Sequence, residues 1–254
     1  IVWKSIQYLL QRAGCAEEFQ GARIRMSNRI PLSRGLGSSA TAIVAGLTAA
    51  NALIDSLFSR DDLLQLATDI EGHPDNVAPA IYGGFTVNTV TDGHVECFSF
   101  LPRIFLRLVV MVPNFYLSTK SARQVLPSEV PMKDAVFNIS HAAMMVAALA
   151  RGSEKHLDHA FDDALHQNYR APLIPGMFDV FAAAKKAGAY GATLSGAGPC
   201  LIAFVPEHRK CTEAVAAAMQ DAFRAHEIEA RPLYLRLDTK GARVLRRRDM
   251  NPKR

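Results

Sequence analysis

The sequence lacks long apolar runs and cysteine patterns, and each absence excludes a class of protein. Its longest stretch without a polar side chain, residues 142–150, covers nine residues, about half of the length that a bilayer-spanning helix needs. The four cysteines show no CxxC spacing and no disulfide framework, which predicts free thiols in a reducing cytosol. No cleavage site typical of a signal peptide follows the first helical pattern. We therefore expect a cytoplasmic protein that does not contact a membrane.

Excess positive charge is confined to the C-terminal segment. The 254 residues carry a formal net charge of +5, and residues 240–254 alone account for +6. A basic tail can bind nucleic acid, but the sequence has no zinc-finger spacing, aromatic ladder or basic recognition helix. We interpret the tail as a solvated terminus and expect no nucleic-acid partner. The histidines lack an HExxH pattern, so a histidine-built metal site is not expected.

The hydrophobic periodicity predicts an α+β chain with two domains, residues 1–100 and 101–254. Two apolar strand patterns flank Asp92-Gly93, a typical hairpin turn. The second half alternates strands and helices in the order of an α+β sandwich. Helices are predicted over residues 2–10, 43–54, 61–70, 133–150, 153–167, 177–187 and 207–225, and strands over 22–26, 85–90, 95–100, 106–112, 189–195, 201–205 and 232–237.

A loop of small residues, 31–41, leads directly into the second predicted helix. Gly35 and Gly37 have no Cβ atom, so the backbone can turn with positive φ and approach a ligand closely. The first turn of a helix leaves N–H groups without intrahelical partners and attracts anions. Ser38 and Ser39 can cap the helix or offer hydroxyls to a phosphate or metal ion. The loop is neither a Walker loop nor GxGxxG, so two interpretations stay open: a phosphate-binding loop, or a glycine turn with a serine cap.

Five motifs resemble those of the GHMP small-molecule kinases, named after galactokinase, homoserine kinase, mevalonate kinase and phosphomevalonate kinase. The loop resembles their nucleotide-binding loop, and a second glycine-rich segment resembles their C-terminal glycine motif. The other three motifs are similar to the homoserine kinase branch. The motifs are Pro31-x-x-x-Gly35-Leu36-Gly37-Ser38-Ser39-Ala40, Glu71-Gly-His-Pro-Asp-Asn76 with Gly83-Gly84, Ser118-Thr-Lys-Ser-Ala-Arg123, His166-Gln-Asn-Tyr-Arg170 before Leu173-Ile-Pro-Gly176, and Leu194-Ser-Gly-Ala-Gly-Pro199.

This resemblance implies a kinase that uses ATP and Mg²⁺. Ser39 and Glu71 are the implied Mg²⁺ ligands, with Asp69 as the alternative to Glu71. Magnesium commonly takes one or two protein oxygens and completes its shell with water and phosphate. The residues implied to bind ATP are Pro31, Arg34, Gly35, Leu36, Gly37, Ser38, Ser39, Ala40, Gly196 and Gly198.

The resemblance also implies the substrate, L-homoserine, whose side-chain hydroxyl is phosphorylated to O-phospho-L-homoserine on the route to threonine. Arg123 and Arg170 are implied to bind its carboxylate, and Asn76 its reacting end, so Asn76 and Glu71 are the implied catalytic residues. Other branches place an aspartate where Asn76 stands, which implies direct transfer without a strong protein base. Asp75 is a rival base, although a turn-forming aspartate is the simpler interpretation.

The implied fold is the two-domain GHMP kinase fold, with an N-terminal part like ribosomal protein S5 domain 2 and a ferredoxin-like C-terminal part. Family members begin with a further segment of roughly seventy to eighty residues, so we expect the first N-terminal strands to be missing and this chain alone to have weak or no activity. Three alternatives stay open: another GHMP kinase acting on an isoprenoid-pathway alcohol, a non-catalytic or nucleic-acid-binding member, and an inactive fragment. A homodimer is also left open.

Overall fold

The computed structural model describes residues 1–245, which fall into two units. The first unit contains Ile1–Ile30, Gly37–Leu101 and residues 238–245, and the second contains Pro31–Leu36 and Pro102–Leu237. The predicted domains, residues 1–100 and 101–254, differ from these units in two short segments. Residues 31–36 lie in the second unit, and the segment that begins at Asp238 lies in the first. Most of the basic tail, residues 246–254, lies outside the described residues.

Helices α1–α4 and the hairpin β1–β2 make up the first unit. Its core consists of apolar side chains that repeat every three or four residues along the helices, among them Leu9 of α1, Ile43 and Leu47 of α2, Leu64 of α3 and Ile81 of α4. This spacing places the apolar side chains of each helix on one face, which explains their burial. The element bounds are α1 Val2–Arg12, α2 Ser38–Leu53, α3 Arg60–Glu71, α4 Val77–Tyr82, β1 Phe85–Thr91 and β2 His94–Phe100.

The predicted hairpin is confirmed, whereas the predicted strand over residues 22–26 is wrong. β1 and β2 pair antiparallel from Phe85↔Phe100 to Thr91↔His94, and Asp92 and Gly93 both have positive φ, as a two-residue turn of this kind requires. Residues 22–26 are exposed and form no ladder with any strand in the described part of the chain. A strand needs a neighbouring strand to bond its backbone N–H and C=O groups. The apolar pattern of residues 22–26 carries no information about whether such a neighbouring strand exists.

The second unit is a four-stranded antiparallel sheet with helices packed on one face. The strand order is β4-β5-β3-β6, the arrangement of a ferredoxin-like βαββαβ unit, as the resemblance implied. Alternate strand residues such as Val109, Met111 and Leu201 pack against Met219 and Phe223 of α9. The bounds are β3 Leu106–Pro113, α5 Thr119–Gln124, α6 Met132–Arg151, α7 Gln167–Arg170, α8 Met177–Lys186, β4 Gly191–Leu194, β5 Leu201–Pro206, α9 Thr212–Arg224 and β6 Ala230–Arg236.

The helix predicted over residues 153–167 is wrong, because polar side chains bind its backbone groups instead. Only a 3₁₀ turn, Glu154–His156, forms there, and α7 begins at Gln167. Asp163 accepts the backbone N–H groups of His166 and Gln167, which a continuous helix would have bonded internally.

Among the helices of residues 1–245, none combines the length and the apolar composition that a bilayer-spanning segment requires.

Candidate active site

The start of α2 has the geometry of an anion cradle within the first unit. Gly37 is the N-cap in a left-handed conformation, with φ +69°, and it offers no side-chain cap. The N–H groups of the first turn, from Ser38 onward, therefore keep the free bonding capacity that helix geometry leaves there, and the helix dipole favours an anion. A Cβ atom on Gly37 would lie 3.4 Å from Oδ1 of Asn76, an ordinary van der Waals distance, so the left-handed φ rather than a lack of space favours glycine there.

Ser39 and Glu71 come together although they are far apart in the sequence. The Ser39 hydroxyl, in the first turn of α2, donates to Oε2 of Glu71, the last residue of α3, at 3.2 Å. The C-terminal end of a helix carries the negative end of its dipole, which is unfavourable for the charge of Glu71. A bound cation would reduce this repulsion. A hydroxyl and a carboxylate are hard oxygen donors, so the pair fits Mg²⁺. No cluster of three or more His, Cys, Asp or Glu residues suited to a metal occurs between residues 1 and 245, so phosphate and water would have to complete the shell.

Asp69, the alternative metal ligand, is engaged elsewhere. Its Oδ2 accepts from the Tyr8 hydroxyl at 3.1 Å, and its Oδ1 accepts from Nε2 of Gln65 at 3.0 Å. Arg12 lies 3.9 Å from the same carboxylate. These contacts favour Glu71 over Asp69 as the partner of Ser39.

Asn76 and Asp75 lie at the start of α4. Nδ2 of Asn76 donates to Oδ1 of Asp75 at 3.0 Å, and the same oxygen is 2.5 Å from Nδ1 of His73. Asp75 is therefore bound to its immediate neighbours, which favours the turn-forming role over that of a base. The amide of Asn76 can donate and accept hydrogen bonds but cannot take up a proton at neutral pH.

In the second unit, the two glycine-rich segments contact each other backbone to backbone. The Ser195 hydroxyl donates to the carbonyl of Gly35 at 2.9 Å, and a Cβ atom on Gly35 would lie 2.1 Å from the carbonyl oxygen of Ser195. Gly35, Gly196 and Gly198 all have positive φ. Only residues without a side chain permit this approach, so the structure joins two of the predicted ATP-binding segments.

The other predicted ATP-binding residues of this segment have framework contacts. The Arg34 guanidinium donates to the carbonyls of Pro113 and Phe115 and stacks 4.3 Å from the centre of the Tyr116 ring. Leu36 packs against the apolar cluster that includes buried Cys200, a thiol whose pKa burial raises to about 12. Pro31 lines an open cavity beside Arg34. A contact of these three residues with ATP stays a prediction.

Arg170 and Arg123 lie near each other beside the second glycine segment. Nε of Arg170 donates to the Ala122 carbonyl at 3.0 Å, and its Nη1 lies 3.5 Å from the carbonyl oxygen of Gly196. Burial, and then the charge of Arg123, lower the pKa of Arg170. Neither arginine forms an ion pair with a carboxylate of the described chain. The charge of Asp163 acts on Arg170 in the opposite sense to that of Arg123, but no carboxylate is in direct contact, and two such neighbouring guanidinium groups suit an anionic ligand such as a carboxylate.

Sequence reasoning assigned no role to two residues that support Arg170. The Asp163 carboxylate accepts the N–H groups of His166 and Gln167 at the start of α7, and buried Gln167 accepts from the Thr193 hydroxyl and the Leu194 N–H at 3.0 and 2.9 Å. Residue type gives only a weak signal for Asp163: an aspartate shortly before a helix can bond nearby backbone N–H groups, although the N-cap position itself is His166. Gln167 gave no such signal, because its partners are on a distant strand.

Comparison with known proteins relates both units to one family. The models of the GHMP kinases N terminal domain and of the GHMP kinases C terminal domain match residues 1–84 and 145–226. A homoserine kinase of Carboxydothermus hydrogenoformans is 42% identical over 95% of this chain and 77% of its own length. A homoserine kinase of Desulfitobacterium hafniense is 40% identical over 96% of this chain and 81% of its own.

The fold agrees with these sequence relationships. The crystal structure of homoserine kinase from Cytophaga hutchinsonii matches with a TM-score of 0.85 at 29% identity, over 95% of this chain and 78% of that one. The predicted α+β GHMP kinase fold is thereby confirmed. On the identity and coverage of these relatives, the chain belongs to the homoserine kinase family of the GHMP kinases.

Proposed function

We propose that this protein transfers the γ-phosphoryl group of ATP to the side-chain hydroxyl of L-homoserine, forming O-phospho-L-homoserine for threonine biosynthesis. The observation that carries the proposal is the arginine pair Arg123 and Arg170, which forms no direct ion pair in the described chain and of which Arg170 lies beside Gly196, in a chain whose relatives at about 40% identity are named homoserine kinases. Phosphoryl transfer requires mainly positioning and charge neutralisation from the protein. The structure offers groups of that kind in each unit.

The phosphate groups of ATP are assigned to the two glycine segments. The first-turn amides of α2 offer N–H donors and the positive end of a helix dipole. Gly196 and Gly198 leave the backbone of the second segment open to close approach. Neither segment provides a carboxylate that would repel a polyphosphate.

Magnesium is assigned to Ser39 and Glu71, whose oxygens already lie within hydrogen-bond distance. When bound, the ion neutralises charge on the phosphates. Glu71 also keeps the Ser39 hydroxyl oriented, since that hydroxyl donates to its carboxylate.

Recognition of homoserine is assigned to three side chains. Arg123 and Arg170 bind the carboxylate through charge-assisted hydrogen bonds, which are about twice as strong as neutral ones. Asn76 accepts or donates a hydrogen bond at the reacting hydroxyl. Asp75 contacts His73 and is not assigned as a base. The hydroxyl proton therefore passes to an oxygen of the transferred phosphoryl group as the new O–P bond forms and the bond to the leaving ADP breaks.

A cytoplasmic location is part of the same proposal.

Because we expect weak or no activity from this chain alone, a coupled ADP-release assay tests this function together with a measurement of substrate binding. We expect L-homoserine to be phosphorylated at least about tenfold faster than mevalonate at equal concentration, with homoserine binding measured by calorimetry in parallel so that a slow catalyst is still detected. Mevalonate also carries a carboxylate and a hydroxyl, which makes it a matched comparison. A preference for mevalonate, or no calorimetric signal with homoserine, would contradict the proposal.

A further inference from the structure

Asp163 and Asn138 form a polar clamp at the start of α7, the helix that carries Arg170. One carboxylate oxygen of Asp163 accepts the N–H groups of His166 and Gln167 at 2.8 and 2.6 Å. Its other oxygen accepts from Nδ2 of Asn138 in α6 at 2.6 Å, and Oδ1 of Asn138 accepts the N–H of Ala164 at 2.7 Å. The clamp thus ties α6 to the segment that leads into α7.

The clamp is nearly closed to solvent. The Asp163 side chain is 7% exposed. Burial by itself would raise the pKa of this carboxyl, but hydrogen bonds from Gln167, Asn138 and His166 together lower it. Asp163 therefore remains ionised near neutral pH and keeps all its acceptor positions in use. A buried, fully bonded polar group of this kind fixes the local geometry.

Arg170 depends on this geometry for its position. α7 has only four residues, so its orientation cannot come from helix propensity. From this short helix the Arg170 guanidinium reaches the carbonyl of Ala122 at 3.0 Å and lies 3.2 Å from Nδ1 of His166. His166 in turn has its Nε2 3.5 Å from Oδ1 of Asp163, and burial lowers the pKa of His166, so a neutral imidazole can accept from Arg170. Repulsion by Arg123 would otherwise move the guanidinium away.

We propose that Asp163 and Asn138 are positioning residues, which hold Arg170 in the orientation that binds the carboxylate of the amino-acid substrate. The inference rests on the proposed function, because it assigns the carboxylate to Arg170. Neither residue touches the substrate. Their effect is transmitted through the backbone of residues 164–167 and through His166.

The clamp can be tested by exchanging its two side chains. In D163N the introduced amide group faces the amide of Asn138, so two donors oppose each other. In N138D two carboxylates oppose each other instead. The double exchange N138D/D163N restores the hydrogen bonds of the two side chains to each other and to the backbone, because the introduced amide at position 163 donates to the introduced carboxylate at 138 and its oxygen still accepts the two backbone N–H groups.

We expect D163N and N138D each to raise KM for L-homoserine about tenfold, with KM for ATP changed by less than about twofold. The double exchange should return KM for homoserine to within about threefold of the wild-type value, the non-additivity that marks a direct interaction. D162N is the matched control: it removes the neighbouring aspartate, which is exposed and pairs with His159, and it should leave both KM values unchanged. A purely structural role would lower the melting temperature without separating the two KM values.

Two results would overturn the proposal: a folded D163N with unchanged KM for homoserine, or a folded double exchange no better than the single variants. If the single variants do not fold, the double exchange decides, since a wild-type KM supports the clamp and a tenfold increase rejects it. Exchange of the Arg170 Nε–H proton, followed by NMR and assigned with R170K, is independent of activity. Protection lost in D163N and regained in the double exchange supports the clamp whether or not the wild type phosphorylates homoserine, and unchanged protection rejects the clamp. Absence of homoserine binding by the wild type would instead reject only the proposed function.

Discussion

At the scale of single residues, two acidic side chains of α3 have different environments. Asp69 and Glu71 are two positions apart, so they project from different sides of the helix. Asp69 is bonded to Tyr8 and Gln65, whereas Glu71 accepts a hydrogen bond only from Ser39 among the residues that the structure describes. The residue that retains free acceptor capacity beside the loop is therefore Glu71.

This difference predicts the outcome of two matched substitutions. E71Q should lower kcat by about 100-fold, the scale of losing one electrostatic contact to a developing charge, and it should raise the Mg²⁺ concentration needed for half-maximal rate. D69N removes the same charge two residues away and should change kcat by less than about twofold. The measurement is the initial rate against Mg²⁺ concentration. Full activity of E71Q would refute the assignment of the metal to Glu71.

At the scale of elements, the two glycine segments of the second unit are held together by backbone contacts. The Gly35 carbonyl accepts from the Ser195 hydroxyl, and the Cys200 N–H donates to the carbonyl of Arg34 at 3.4 Å. A side chain at Gly35 would meet the Ser195 carbonyl at 2.1 Å. The segments can therefore keep their relative position only while that residue is glycine.

Gly35→Ala should therefore destabilise the protein more than a positive φ explains. Gly14 has nearly the same φ, +72° against +73°, but a Cβ atom there would have no neighbour within 4 Å. We expect Gly14→Ala to lower the free energy of unfolding by about 1 kcal/mol and Gly35→Ala by at least about 3 kcal/mol, since backbone must move. Denaturant titration of both variants measures the difference. Equal losses would show that the contact at Gly35 is unimportant.

At the scale of the whole molecule, the chain returns to its first unit after completing the second. The segment that begins at Asp238 is joined to the first unit by backbone hydrogen bonds from Gly84 N–H to the Asp238 carbonyl and from Ala242 N–H to the Ala80 carbonyl, at 2.7 and 2.8 Å. Asp238 also accepts the N–H groups of Lys240 and Gly241, which lower its pKa. The first unit is therefore built from segments that are far apart in the sequence.

Gly241→Ala should weaken this return. Gly241 has φ +65°, and a Cβ atom there would lie 2.2 Å from the carbonyl oxygen of Ile81. We expect faster tryptic cleavage after Lys240, by about tenfold or more, because the released segment becomes accessible. Gly21→Ala serves as the control, because a Cβ atom at that position meets nothing within 4 Å. An unchanged cleavage rate would show that the segment does not depend on the glycine.

Elements with a strong local pattern were predictable. The turn residues Asp92-Gly93 identified the hairpin, and the apolar run of β3 identified an interior strand, because both signals depend only on neighbouring residues. The strand over 22–26 and the helix over 153–167 were wrong for the opposite reason. Whether these segments form regular structure depends on residues far away in the sequence. Residues 22–26 have no described strand to pair with, and the side chains of Asp163 and Asn138 bind backbone groups near residue 164.

Some residues of the candidate site could be selected from the sequence, and others could not. The small residues of the loop could be selected from the sequence by residue type, whereas Arg123 and Arg170 were selected only through the resemblance of their motifs to the family. Their roles toward ATP and homoserine stay predictions. The clamp of Asp163 and Asn138 could not be selected, because an aspartate and an asparagine 25 positions apart have no recognisable spacing.

The amino-acid sequence by itself determined the family and the order of the motifs, since these follow from residue types and their order along the chain. Tertiary structure alone decided that Glu71 rather than Asp69 meets Ser39, and that Arg34 is bonded to the framework. It also decided that residues after Asp238 complete the first unit. Such pairings arise from the packing of distant segments, and the pattern of neighbouring residues carries no information about which distant group will be brought near.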